Sequence, residues 1–294
     1  MRQSTLNDLA TQERRRRELL QKSDLVPTLP EFVVRLLALL NKAETEPQDL
    51  EFYMQNDQVL VAKMLAMVNS PFYGLNRTVR TIKDAVMVLG FRGVRSLVLA
   101  TSTTKYLQRD FSCYGHDQRG LWVHAVCVAS GARALARAVR MGADASEQLF
   151  VAGLLHDIGK LLLTQYVTDA MRQRGVVAGS TIEVERQLVG LDHTEAGALV
   201  CAKWNLGTEV EEIVKAHHDG GVPGGDRGAA VVRVADAVAH GSGFGYLPGR
   251  APTEPATAPD LQALGIADPG VWGAVQNEMS ATMAGAVSAL ARLG

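Results

Sequence analysis

Hydrophobic residues recur along most of the chain at the three- and four-residue spacing of amphipathic helices. In the first such stretch, the apolar positions on one helical face are Phe32, Val33, Leu36, Leu37 and Leu40. We predict that Thr28 is the N-cap of this helix, with Pro30 in the first turn and Glu31 at the capping-box position. Pro47 is predicted to end the helix, because proline cannot continue one.

The next apolar stretches predict further helices of ordinary length. Asp57 is predicted to cap a helix that ends before Pro71, since the residue before a proline disfavours helical backbone. Its apolar positions are Leu60, Met64, Met67 and Val68. Residues 81–90 predict another helix, which Gly90 closes. A further helix begins at Phe91, and its arginines are expected to face solvent.

The second half of the chain continues the helical pattern. One face carries His124, Cys127, Val128, Gly131 and Leu135. Thr208 and Glu211 predict a second capping box, and the helix after it carries an apolar stripe of Val210, Ile213, Val214 and His217. His217 is therefore expected to point into the core. His218 is expected about 100° from His217 around the helix axis.

Alternating patterns typical of β-strands are scarce, so we predict an all-α protein of two packed helical lobes. The expected divisions are a polar, basic N-terminal arm or helix at 1–24, an N-terminal helical lobe at 25–115 and a second helical lobe at 116–294. A loop rich in glycine and proline is expected at 241–260. One or two last helices, from Leu261 onward, are expected to pack back on the body.

Composition and charge exclude several classes of protein. The chain is 47% hydrophobic and 21% charged, as ordinary globular proteins are. Its net charge of -1 argues against a protein that binds nucleic acid over its whole surface. No apolar run approaches the roughly 20 residues of a membrane span, and the N-terminus lacks the apolar segment of a secretory signal. We therefore expect no membrane partner.

Two local features refine that picture. The cysteines Cys113, Cys127 and Cys201 are odd in number and lack C-x-x-C spacing, so they predict neither a disulfide framework nor a thiolate zinc site. A reducing cytoplasmic location is expected.

The arginine run 14–17 is interpreted as a solvated helix or arm, and the alternative is a contact with a partner or with nucleic acid.

Histidines and aspartates in apolar surroundings are the candidate chemistry. His124, His156 and His217 have apolar helical neighbours, and Asp157 and Asp236 lie in equally apolar settings. A buried aspartate is costly unless it is paired, hydrogen-bonded or bound to metal. A divalent cation would satisfy both carboxylates, and nitrogen and carboxylate ligands without thiolate suit Zn, Mn, Fe or Ni.

Each of these residues also has a simpler interpretation. A histidine on an apolar face can be a core residue, Asp157 can cap a neighbouring helix, and Asp236 can pair with Arg233. His116 and His240 lie in or beside loop-like sequence and are left out of the candidate set.

The order of His124, the pair His156-Asp157 and then Asp236 resembles the H…HD…D signature of the HD superfamily of metal-dependent phosphohydrolases. This HD-like part covers roughly residues 121–240. The resemblance implies that the second lobe is an HD-type helical bundle.

The first half resembles the HDOD family, a mostly bacterial, all-helical family associated with signalling and regulation. The motifs that carry this resemblance are "PTLPEF" at 27–32, "NDQVLVAKMLAMVNSPFYG" at 56–74 and "TIKDAVMVLG" at 81–90. The likeness covers roughly residues 25–104.

Further motifs are similar to those of HD-GYP phosphodiesterases, which hold a second metal and cut cyclic di-GMP. They are "DHTEAG", which contains His193, and the pair His217-His218. Lys160 matches a lysine that lies near the substrate phosphate in those enzymes, which implies catalytic roles for Lys160 and Asp157. The implied ligands of one or two divalent ions (Fe, Mn, Zn or Ni) are His124, His156, Asp157, His193, His217, His218 and Asp236.

Two departures from the HD-GYP pattern bear on activity. The segment 217–228 lacks the tyrosine of the "GYP" motif, and Gly120 stands where some of those enzymes place an additional glutamate ligand. The glycine-rich loop after His218 is expected to form a lid or rim of the site.

Since HDOD proteins commonly lack catalysis, the resemblance favours a regulatory protein that retains the metal ligands and acts by binding a protein or ligand. The alternative is an active phosphohydrolase or phosphodiesterase acting on a nucleotide or cyclic dinucleotide. Signalling partners are expected to be separate chains, and a homodimer is left open.

Overall fold

The computed structural model describes residues 13–14, 16–17, 26–70, 73, 75, 77–174, 180–220, 226–252 and 255–292, with backbone alone at 174 and 289–292. It is 72% helical, and within those ranges there is no β-strand, only an isolated antiparallel bridge between His116 and Tyr246. The prediction of an all-α fold is confirmed. The helices are α1 Glu31–Leu40, α2 Pro47–Met54, α3 Gln58–Val68, α4 Ile82–Leu107, α5 Gly120–Ala138, α6 Ala143–Leu155, α7 Lys160–Arg174, α8 Thr181–Val189, α9 His193–Lys203, α10 Thr208–Ala216, α11 Arg227–Ser242, α12 Ala258–Ala263 and α13 Pro269–Arg292.

Helix α5 is the centre of the second lobe and packs against α6, α11 and α13. Helix α4 joins the two lobes, because it contacts α1, α2 and α3 as well as α5 and α6. One large hydrophobic core includes buried residues of both lobes, the first of them Val26 and the last Ala286. A smaller core is formed by residues of α7, α8 and α9. By length and composition α4 could cross a membrane, but 61% of its apolar window is buried inside the structure, as expected of a core helix.

The N-terminal capping prediction is wrong at Thr28. Helix α1 begins at Glu31, with Pro30 at the N-cap and no side-chain cap. The segment before the helix is instead irregular, and its carbonyl groups accept hydrogen bonds from the rest of the molecule. Tyr106 Oη donates to the Thr28 carbonyl at 2.6 Å, and Trp204 Nε1 donates to the Pro27 carbonyl at 2.7 Å. These tertiary contacts fix Thr28 in a position from which it cannot cap.

Pro47 begins a helix, whereas the sequence pattern predicted that it ends one. Helix α1 stops at Leu40, and α2 starts at Pro47 with Glu46 as its N-cap and Asp49 completing a reciprocal capping box. Proline is well suited to the first helical position because its missing N–H would have no partner there. Leu50 and Met54 of this helix are buried.

The remaining helix boundaries agree with the sequence pattern in part. Asp57 caps α3, and its predicted apolar face is buried. Gly90 interrupts α4 with a φ of 70°, as expected of a helix end, although a helical backbone resumes directly after it. The capping box predicted at Thr208 is wrong, because Gly207, with a φ of 100°, is the N-cap and Thr208 is already helical. Arg92 is exposed as predicted, but Arg95 is half-buried.

The loop expected at 241–260 is shorter than predicted. Helix α11 continues to Ser242, and α12 already begins at Ala258. The last two helices, α12 and α13, pack on the body as expected, since α13 contacts α5 and both contact α11.

Part of the shortened loop, residues 243–247, forms a strap across the N-terminus of α5. Leu247 N donates to the Gly115 carbonyl at 2.8 Å, and His116 Nδ1 donates to the Gly245 carbonyl at 2.9 Å. A Cβ added at Gly120 would lie 2.0 Å from the Gly245 carbonyl oxygen. The strap therefore occupies the space into which a side chain at position 120 would extend.

The N-terminal arm predicted at 1–24 lies mostly outside the described residues. Of the arginine run, Arg14, Arg16 and Arg17 are described and exposed, whereas residue 15 is not described. Arg16 lies 3.5 Å from the Glu195 carboxylate of α9. At least this arginine therefore contacts the body of the protein.

We expect Gly120→Ala to lower the free energy of unfolding by about 2 kcal/mol, because the new methyl group would force the strap away from α5. Urea denaturation followed by circular dichroism measures the change. Gly241→Ala is the matched control, since a Cβ at that helical position meets nothing within 4 Å. An unchanged urea midpoint for Gly120→Ala would show that the strap is not packed as described.

Candidate metal centre

Five helices bring the seven predicted ligands together. His124 lies within α5, His156 and Asp157 follow the last turn of α6, and His193 is the first residue of α9. His217 and His218 follow α10, and Asp236 lies within α11. All are buried except His218, which is half-buried. The sequence places these residues up to about a hundred positions apart, and the fold collects them in one cluster.

Backbone hydrogen bonds fix the orientation of two of the rings. His156 Nδ1 lies 2.7 Å from the Gly153 carbonyl oxygen, and His217 Nδ1 lies 2.6 Å from that of Val214. A carbonyl oxygen can only accept, so each Nδ1 carries the proton. In the neutral ring the Nε2 lone pair then faces the cluster, where neither Nε2 has a hydrogen-bond partner among the described residues. This is how proteins orient histidines that bind metal.

A buried glutamate orients His193 in the same way. Glu185 Oε2 accepts hydrogen bonds from both the backbone N–H of His193 at 2.8 Å and its Nδ1 at 2.7 Å. Its side chain is completely buried, and His193 Nε2 is turned toward Asp157. Sequence reasoning missed Glu185, because nothing in the pattern of α8 distinguishes it from a glutamate on a solvated helix.

The carboxylate of Asp157 lies between two groups of imidazoles. Its Oδ1 is 3.3 Å from His193 Nε2, whereas Oδ2 is 3.4 Å from His156 Nε2 and 3.8 Å from His124 Nε2. Lys160 Nζ donates to Oδ2 at 2.6 Å and is itself buried. The alternative in which Asp157 simply caps a helix is therefore not what the structure contains.

Asp236 completes the group around His124. Its Oδ1 is 3.0 Å from His124 Nε2, 3.2 Å from His240 Nε2 and 3.7 Å from His156 Nε2. The alternative pairing with Arg233 is wrong, because that guanidinium binds Asp260 Oδ1 at 2.7 Å instead.

His240 is a second residue that sequence reasoning missed. The sequence pattern predicts a loop at this position, but α11 extends past it, and His240 lies one helical turn after Asp236 on the same face. Its Nε2 also lies 3.0 Å from Tyr246 Oη of the strap. The i, i+4 spacing from Asp236 is the signal that could have identified it. His116, likewise set aside, is buried and contacts the strap.

The electrostatics of the cluster favour neutral imidazoles and ionised carboxylates. Burial lowers the pKa of His124 to about 4 and that of His218 to about 3, and it holds the pKa of His217 well below its usual value. Burial alone would raise the pKa of Asp157, but Lys160 and His156 outweigh it and hold that pKa well below its usual value. Near neutral pH these groups are thus in the protonation states that metal binding requires.

His156 is the exception to this pattern. Burial would lower its pKa, but the adjacent Asp157 outweighs burial and raises it. A cation bound at its Nε2 would replace a proton there.

The donor atoms fit a divalent transition metal. The ligand atoms form three groups, and within each group they lie no more than 4.8 Å apart. The groups are His124 with His156 and Asp157, His193 with His217 and His218, and His124 with Asp236 and His240. No cysteine belongs to any of these groups. Imidazole and carboxylate donors without thiolate suit Zn, Mn, Fe or Ni. Such an ion would bind at the buried Nε2 atoms that have no hydrogen-bond partner among the described residues.

A cavity of about 380 Å³ reaches one side of the cluster. Four side chains of the cluster line it, together with Arg233, residues 255–257 and Asp260; the four are His217, His218, Asp236 and His240. Residues 221–225, the centre of the loop predicted to form a lid, lie outside the described residues. The cavity gives small molecules access to four of the clustered side chains.

Comparison with protein families matches most of the chain to a known domain. The family model described as the HDOD domain matches residues 26–220, which include six of the seven predicted ligands and end before Asp236. The match therefore spans both helical lobes.

Individual proteins are similar to the chain at low identity. A curated, uncharacterized protein of Treponema pallidum is 24% identical over 205 residues, which are 67% of this chain but 38% of that protein. The chain therefore matches well under half of the length of that relative.

Solved structures share the fold. An HDOD domain protein from Geobacter sulfurreducens has a TM-score of 0.65 at 23% identity, covering 97% of this chain and 96% of that one. A protein from Shewanella amazonensis, provisionally named a phosphohydrolase, has a TM-score of 0.66 at 24% identity, covering 90% and 97%. One from Marinobacter aquaeolei, provisionally named a signal transduction protein, has a TM-score of 0.69 at 23% identity, covering 92% and 59%. At these identities the likeness supports the fold.

We expect Glu185→Gln to weaken Mn²⁺ binding by about 10- to 100-fold, the usual cost of losing a residue that orients a metal-binding histidine. Isothermal titration calorimetry with Mn²⁺ measures the affinity. Glu212→Gln on α10 is the control, because it makes the same change at an exposed position. Equal affinities for the wild type and Glu185→Gln would contradict the role of the Glu185 carboxylate in orienting His193 toward a metal.

Proposed function

The chain belongs to the HDOD domain family, and from this premise we propose that it is a metal-binding regulatory protein of a bacterial signalling system. It acts by binding a partner protein or a small ligand. The observation that carries this proposal is the convergence of the oriented Nε2 atoms of His156 and His193, which have no hydrogen-bond partner among the described residues, on the carboxylate of Asp157.

The donor groups would suit one or two divalent ions, with Asp157 between the two sets of histidines. His124, His156, Asp157 and Asp236 would hold the first ion, and Asp157, His193, His217 and His218 would hold the second. The two oxygens of Asp157 support this arrangement, because Oδ1 faces His193 and Oδ2 faces His156. His240 is an additional candidate ligand beside Asp236.

Two features support regulation over turnover. Lys160 is paired with Asp157 and does not line the described cavity, so a phosphate entering there would not meet its ammonium group. The strap occupies the space beside Gly120 into which an additional glutamate ligand would extend. In this proposal Lys160 neutralises Asp157 and stabilises the centre in its buried setting.

A second candidate function, hydrolysis of a phosphate ester, is supported by the cavity. A nucleotide phosphate in that space would lie directly against the group formed by His217, His218, Asp236 and His240. When bound, divalent ions supply an activated water molecule and polarise a phosphoryl oxygen. Asp157 and Asp236, held ionised by their neighbours, would position those ions, and His217 and His218 would line the entry for substrate.

The proposal includes further expectations that follow from the family. The metal is Mn, Fe, Zn or Ni, and the signalling partners are separate chains in a bacterial cytoplasm. A nucleotide or cyclic dinucleotide is the small ligand we favour, since it is the class of molecule that related HD-type enzymes act on.

Saturating Mn²⁺ is expected to stabilise the protein by about 2.7 kcal/mol at 100 times the dissociation constant, because the ion binds only the folded state. Thermal unfolding with and without Mn²⁺ measures this gain. Asp236→Asn should lose most of it, whereas Asp169→Asn, an exposed change of the same kind on α7, should keep it. An equal gain in both variants would contradict the assignment of Asp236.

The same Mn²⁺-loaded samples are then incubated with nucleotides, cyclic dinucleotides and simple phosphodiesters. The regulatory proposal predicts a ligand-dependent rise in unfolding temperature without turnover. Turnover that disappears in His156→Ala would overturn it in favour of the second candidate function. Measuring Mn²⁺ binding in each sample shows that an inactive protein was nevertheless loaded.

A further inference from the structure

A second polar cavity lies at the seam between the two lobes, away from the metal centre. Its volume is about 440 Å³. The end of α1, the middle of α4, one face of α6 and the turn between α9 and α10 surround it, and none of the candidate metal ligands lines it. Arg92 and Arg95 are its two cationic side chains.

Arg95 has no carboxylate partner among the described residues. Its guanidinium makes one hydrogen bond, from Nη2 to the Leu206 carbonyl oxygen at 3.1 Å. Its Nε is buried, and no described residue accepts a hydrogen bond from it. Burial, followed by repulsion from Arg92, lowers the pKa of Arg95, and no anion offsets these effects. An arginine that is half-buried in this way leaves most of its five donors available to a ligand.

The N-terminus of α10 forms another wall of the same cavity. This helix of nine residues begins after Gly207, which lines the cavity, and no side chain caps it. The first N–H groups of a helix are unsatisfied within the helix and carry a partial positive charge. A helix N-terminus and an arginine fork together match the geometry of a phosphate group.

The carboxylates around the cavity are already engaged. Glu147, which also lines the cavity, lies 2.9 Å from Arg133 and 3.7 Å from Arg137 of α5. Glu209 accepts a hydrogen bond from Gln148. Asp144 lies 3.1 Å from Arg92 Nε at the exposed edge. None of these carboxylates compensates Arg95.

We propose that Arg95, assisted by Arg92 and the N-terminus of α10, binds the phosphate group of a small ligand in this seam cavity. The volume also admits an attached group beyond the phosphate, since ligand cavities of a few hundred Å³ hold small molecules. The phosphate can belong to free inorganic phosphate or to a nucleotide, and both share the chemistry that the arginine recognises.

Isothermal titration of the full chain with inorganic phosphate tests the proposal. The wild type should bind phosphate saturably, and Arg95→Gln should weaken binding at least about tenfold, the cost of a lost hydrogen bond to a charged group. Arg35→Gln on the exposed face of α1 removes the same charge elsewhere and should bind as the wild type does. Titration with AMP distinguishes the two sources, because tighter binding than phosphate identifies a nucleotide and equal binding identifies phosphate itself.

Phosphate could also bind at the metal centre, so Asp157→Ala is titrated in parallel. Retained binding in Asp157→Ala with loss in Arg95→Gln supports the seam site, whether or not the proposed metal centre exists. Loss in Asp157→Ala, or unchanged binding in Arg95→Gln, would overturn the proposal. Should Arg95→Gln fail to fold, Arg95→Lys and Arg92→Gln replace it. Each is expected to weaken binding several-fold, and wild-type affinity in both would equally overturn the proposal.

Discussion

The carboxylate of Asp157 is almost completely buried, and burying an ionised carboxylate is unfavourable unless cations or hydrogen-bond donors surround it. The fold around it is arranged to meet that requirement. Lys160 approaches from the start of α7, His156 from the end of α6, His124 from α5 and His193 from α9. Since no single helix can supply these groups, the position of one side chain constrains how four helices pack.

The helices can approach this closely because glycines lie at their contact points. A Cβ added at Gly159, within the motif "HDIGK", would lie 2.0 Å from the His193 carbonyl oxygen and 2.6 Å from Gly197 N. The start of α9 therefore rests directly on the backbone that follows Asp157, which brings His193 to the centre. Gly153 likewise allows α6 to pack closely against α5, because a Cβ there would lie 3.0 Å from the Ala129 Cα. The glycine of the motif has a packing role, beside the chemical role of its histidine and aspartate.

The sequence predicts the helical fold and identifies seven side chains that the fold brings into one cluster, because both depend on patterns visible in short stretches of the chain. Apolar spacing reports the buried face of a helix such as α3, and the order of His124, His156-Asp157 and Asp236 resembles a known signature. What the sequence could not predict depends on contacts between distant segments. Thr28 fails as a cap because Tyr106 binds its carbonyl group, and Glu185 matters because α8 happens to face His193. His240 is the avoidable omission, since its spacing from Asp236 was visible in the sequence.

We propose that these side chains form a metal centre organised by Asp157. The most direct test is the metal content per chain, measured by mass spectrometry on protein purified without chelators or a histidine tag, beside Asp157→Ala. We expect one or two equivalents of Mn, Fe, Zn or Ni per chain in the wild type and a loss of metal in Asp157→Ala. No metal in either protein, or the same content in both, would contradict it and leave the cluster as a buried network of hydrogen bonds.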